Sequence, residues 1–108
     1  MEPPPFDLAT VEAPFFEGLT GQKFRAWFTE GPADAPPLEL ELMLVQPGHF
    51  RQGVETRAPF SLLFKLPEGV RPGQGIYECE GPRLERTEIF LVPVRDALRG
   101  VCMEAVFN

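Results

Sequence analysis

The sequence predicts an all-β fold: a single antiparallel domain of six strands, a small barrel or a two-layer roll, with one short helical turn near its N-terminus. Three observations carry this expectation. Apolar residues recur two apart in Leu38–Leu42, Phe60–Phe64 and Met103–Phe107, with a related apolar run at Ile89–Val92, and that period lines one face of a half-buried strand. Thirteen Pro and ten Gly punctuate the chain between such segments, as expected where short strands are joined by many turns. No stretch keeps an apolar stripe at helical spacing for three turns.

Residues 1–13 form an extended arm, because Pro3-Pro4-Pro5 favours polyproline geometry and cannot start a sheet ladder. The domain proper is expected over 14–108. Within Pro14–Leu19, Phe15 and Leu19 are spaced to share one face of a helical turn that plugs an open end of the barrel, with Gly21 ending it. The first strand is expected over Gln22–Glu30, where Phe24, Ala26 and Phe28 face inward. The proline-rich segment 31–37 is a loop.

The second strand, Leu38–Gln46, places Leu38, Leu40, Leu42 and Leu44 inward and Glu39 and Glu41 outward, after which the outer face turns apolar with Met43 and Val45. A polar connection over 47–58 leads to the third strand, Pro59–Leu66, with Phe60, Leu62, Phe64 and Leu66 on one face. A Gly- and Pro-rich turn over 67–75 precedes the fourth strand, Ile76–Glu80. The fifth, Thr87–Val94, is apolar on both faces from Ile89 onward, and Pro93 is expected at a bulge or at its end. After a tight return over 96–100, the sixth runs from Val101 to the terminus.

The 108-residue length suits one domain, which buries roughly two-thirds of its unfolded surface. Net charge is −6, from sixteen acidic and ten basic side chains. Phosphate neutralisation needs clustered Lys and Arg, so nucleic acid is not an expected partner. The N-terminus lacks the basic start and apolar run of an export signal, and no apolar stretch approaches the roughly 20 residues of a membrane span. A cytoplasmic location without a membrane partner is expected.

Cys79 and Cys102 show no CxxC spacing. Alternation puts Cys79 inward with Tyr77 and Cys102 outward with Glu104, so the two are expected as unpaired thiols. His49 is the sole histidine and has no local metal-ligand partner. Ser61 is the sole serine, on a strand face without a nucleophile turn. Glu39 with Glu41, and Glu78 with Glu80, hold carboxylates about 7 Å apart along a strand, which is a spacing of glycosidase pairs and more commonly a solvated face. Gly69, Gly73 and Gly75 precede a strand and lack the GK[ST] of a phosphate loop. No catalytic, cofactor or metal site is predicted, and the chain is expected not to be an enzyme.

Phe60-Ser-Leu-Leu-Phe64, Gly75-Ile-Tyr77, Ile89-Phe-Leu-Val-Pro-Val94 and Glu104-Ala-Val-Phe-Asn108 resemble a family of small, functionally uncharacterised bacterial β domains with PFSLLF, FLVPV and terminal EAVFN motifs. Phe16, Leu19, Gly21 and Phe24 match its opening pattern, and Met103 stands where the family shows Tyr. The resemblance implies a structural or accessory role beside phage-tail-like or fibre-like proteins, and no catalytic residues.

Trp27, Met43, Val45 and Leu63 alternate away from the expected core. On adjacent strands they would make one apolar patch, a surface for another protein or for self-association. If a second layer covers them, they are packing residues. The function expected is therefore a non-enzymatic structural or protein-interaction module. The alternative is a β-barrel holding a small apolar ligand.

Overall fold

The computed structural model describes residues 11–48 and 59–107. One short helix, α1 (Ala13–Glu17), precedes six strands: β1 (Lys23–Phe28), β2 (Leu38–Pro47), β3 (Phe60–Lys65), β4 (Gly75–Gly81), β5 (Leu84–Asp96) and β6 (Gly100–Phe107). They close into an antiparallel barrel in the order β1-β2-β3-β6-β5-β4. The choice between barrel and roll is thus resolved as a barrel. Closure gives each strand two neighbours, which removes the unpaired edges that invite aggregation.

The inward sets of β1, β3, β4 and β6 follow the alternation in the sequence, with Phe24, Leu62, Phe64, Tyr77, Met103 and Ala105 all buried. On β2 the alternation breaks. Leu42 pairs with Phe64 and Leu44 with Leu63, so Met43 is the extra residue of a β-bulge. A residue inserted into a period of two reverses every side chain beyond it. Val45 therefore packs against the core and Leu44 takes the outer face beside Leu63, the reverse of the expected orientation.

The β5 strand is longer than expected because it serves two partners in turn. It pairs with β4 from Leu84 to Leu91 and with β6 from Val92 to Asp96. Pro93 pairs with Met103 inside this strand, at neither a bulge nor an end. Pairing with β4 has already stopped there, and a strand bonded on one side tolerates a missing donor. The turn into β5 is tighter than the expected connection: Gly81 pairs with Leu84, and Arg83 between them has φ 61°.

Where β5 and β6 part company, α1 fills the end of the barrel. Phe16, not Phe15, is the plug: it is fully buried, with ring centroids 5.9 Å from Phe60 and 5.7 Å from Phe107. The helix is capped at Gly18, earlier than Gly21, whose N–H instead donates to the Leu42 carbonyl. Val11 and Ala13 pack against the core as well, so packed structure already begins within the segment expected as an arm. The opposite mouth is crossed by the β3–β4 connection, where Val70 packs inward.

Candidate functional site

Of the four residues expected to share an outer patch, Met43 lies at the bulge beside Leu63, whereas Trp27 is on β1 and Val45 packs against the core. Trp27 lies at the end of β1 opposite Glu78 of β4, where the guanidinium of Arg86 sits 3.8 Å from its ring centroid. Arg86 also reaches Glu78 at 3.5 Å and Glu80 at 3.8 Å, while Arg25 pairs with Glu80. The half-buried indole is thus set among paired charges. Ala26 pairs with Leu38 at the start of β2, and Met43 lies five residues further along that strand, about 17 Å at ordinary strand rise. Leu63 is buried between Leu44 and Glu104, Met43 is half-buried, and Val45 belongs to the core.

A different apolar group is exposed on the outside. Ile76 of β4 pairs with Phe90 of β5. Val106 of β6 is exposed as well, beyond the last β5–β6 pair, Val92 with Glu104. These three are 45%, 53% and 60% exposed, in that order. Alternation alone indicated the outward direction of each, but only the closed strand order brings β4, β5 and β6 side by side. Glu88, which follows the same face of β5, and Glu104 lie near these residues, and neither makes an ion pair among the described residues.

The acid pairs of the sequence are neutralised in part. Glu41 bonds Lys23 at 3.0 Å, and Glu78 and Glu80 share Arg86. Ser61 accompanies Gln46 on the outer face at 3.5 Å. His49 lies outside the described residues. Gly69 and Gly73 belong to the β3–β4 connection, which borders a mixed-charge cleft of about 620 Å³ containing Lys23, Glu41, Lys65, Arg71 and Arg99. Nearby, the N–H groups of Leu98 and Arg99 hold the Asp96 carboxyl below its ordinary range, helped by the Arg99 guanidinium.

Both cysteines are free thiols. Burial pushes Cys79 up to about 12. Cys102 keeps the outward register opposite Lys65 and Val94, as alternation predicts, yet it is fully buried. Its thiol is also shifted upward, chiefly by burial and then by the Asp96 charge. Neither thiol has the lowered pKa of a reactive cysteine. Among the described residues, no three His, Cys, Asp or Glu side chains converge to hold a metal ion, and no helix is long and apolar enough to cross a membrane.

The model of a family described as a domain of unknown function (DUF6916) matches residues 11–107. No curated protein and no solved structure matches the chain.

Proposed function

Because the chain belongs to the DUF6916 family, a description that assigns no activity, we propose from its surface chemistry that it is a non-enzymatic protein-interaction module. The observation that carries this reading is the exposed cross-strand pair of Ile76 and Phe90, with Val106 exposed on the next strand of the barrel. Large apolar side chains in contact with water across neighbouring strands are a feature of partner surfaces. The nearby Glu88 and Glu104 define the partner's chemistry: an apolar centre rimmed by Lys or Arg. A second copy would bring like charges together on this face, and the chain carries a net charge of −6, so a different protein is the occupant.

The resemblance noted in the sequence points to phage-tail-like or fibre-like assemblies as the source of that partner. The free thiols are compatible with assembly in a reducing cytoplasm. An apolar ligand inside the barrel is the weaker reading, since Phe24, Phe64, Leu62, Leu91 and Met103 already occupy the interior.

Sedimentation of the purified chain with candidate fibre-like and collar-like proteins tests the proposal. A complex is expected that weakens at least tenfold with Phe90→Asp and also weakens with added salt. Absence of binding to every such candidate, or binding indifferent to Phe90→Asp, overturns it.

A further inference from the structure

The strand register lays charges in a row across the outside of the barrel. Lys23 of β1 pairs with Glu41 of β2, Glu41 with Lys65 of β3, and Lys65 with Cys102 of β6. The β3–β4 connection leaves from Lys65 and walls the cleft of about 620 Å³ beside this row, to which the β5–β6 turn contributes Arg99 and Gly100. That volume lies within the roughly 300–1,000 Å³ of small-molecule sites. Both loops have a fixed shape. The Val70 N–H donates to the Pro67 carbonyl at 3.3 Å across a turn that Gly69 completes at φ 82°, and Val70 packs against the core. Asp96 accepts the N–H groups of Leu98 and Arg99, both at 2.9 Å, which ties the second loop.

In a chain of net charge −6, four of the ten basic side chains, both lysines among them, line this one cleft: Lys23, Lys65, Arg71 and Arg99. Two are already answered, Lys23 by Glu41 at 3.0 Å and Arg99 by Asp96 at 3.3 Å. Lys65 and Arg71 make no ion pair among the described residues, and neither do the cleft's other two carboxylates, Glu39 and Glu68. The unanswered charges are therefore two of each sign, beside an apolar floor of Leu66, Val70 and Val101. A simple anion would meet the two carboxylates, and a simple cation would meet Lys65 and Arg71. A molecule that carries both charges answers all four. We propose that this cleft binds a small zwitterion of the apolar amino-acid class. Its carboxylate is held by Lys65 and Arg71, its ammonium faces Glu39 and Glu68, and its side chain rests on the apolar floor. The site shares no residue with the Ile76–Phe90 pair and stands whether or not that pair binds a partner.

The test titrates the full chain with leucine and with two truncated probes: isocaproate, which is leucine without its ammonium, and isoamylamine, which is leucine without its carboxylate. The backbone amide resonances of Val70 and Val101 should shift saturably with leucine in the millimolar range. Each truncated probe should bind at least about tenfold more weakly, because it leaves charged partners unanswered. Combining Lys65→Gln with Arg71→Gln, both exposed side chains, should remove the leucine response without changing the thermal melt. Combining Glu39→Gln with Glu68→Gln should instead make isocaproate the better ligand, a reversal that a loss of folding could not produce. No saturable response to leucine, isocaproate binding the parent chain as tightly as leucine does, or leucine binding indifferent to the Lys65 and Arg71 substitutions overturns the proposal.

Discussion

Arg86 lies over the face of Trp27, its guanidinium carbon 3.8 Å from the ring centroid, and the same group reaches Glu78 and Glu80. The indole is therefore covered on one face by a cation from β5 and is neither core nor open patch. An exposed cation–π contact contributes about 0.5–1 kcal/mol. Arg86→Ala should move the tryptophan emission to the red and lower stability by about 1 kcal/mol in denaturant melts. Trp27→Ala should cost well under the roughly 3–5 kcal/mol of a buried aromatic, and a loss that large would mean that the ring supports the core.

Gly81 is required by the ring packed against it. A Cβ placed there would meet Phe24 Cδ2 at 2.2 Å and Cε2 at 2.7 Å. Phe24 is itself held against Phe64, centroids 5.6 Å apart, so it has little room to retreat. Gly81→Ala should destabilise by about 1–3 kcal/mol, the usual range for overpacking. Urea denaturation measures it, and an unchanged midpoint would show that the ring moves freely.

Deleting Met43 should be better tolerated than deleting Glu41. Removing the bulged residue restores a simple alternation with Leu44 outward and Val45 inward, the orientations already present. Removing Glu41 instead shifts the paired residues before the bulge and turns Leu40 toward solvent. The Met43 deletion should fold with a loss of about 1–2 kcal/mol, and the Glu41 deletion should fail to give a cooperative melt. Equal behaviour of the two would argue against the bulge.

The buried thiols predict alkaline weakening. Cys79 rises from an ordinary 9.0 to about 12 in the folded chain, and Tyr77 and Cys102 shift in the same direction. The folded state then holds protons that the unfolded state releases, so stability falls as pH rises. It should be fully present below about pH 9 and decline toward pH 12, by at most about 1.4 kcal/mol per pH unit for each group. Melts from pH 7 to 11 check the sign, and Cys79→Ala should flatten the slope. Native protein at pH 8 should also resist thiol alkylation until it is unfolded.

Strand period, turn residues and charge are local properties, and they were enough to predict six antiparallel strands, the inward faces of Phe24, Phe64, Tyr77 and Met103, and a helical plug near the N-terminus. The Met43 bulge was hidden because an all-apolar stretch, Leu42–Val45, fits either register, and only pairing with Leu63 and Leu62 selects one. Which phenylalanine fills the barrel end depended on where β5 leaves β6 and on the Phe60–Phe107 stack waiting there, centroids 4.8 Å apart. The exposed pair was equally a matter of strand order. Ile76 and Phe90 are distant in sequence, and the pairing of β4 with β5 is what sets them side by side on the outer face. Alternation fixes the side of the sheet to which a residue points, whereas long-range pairing alone decides its neighbours there.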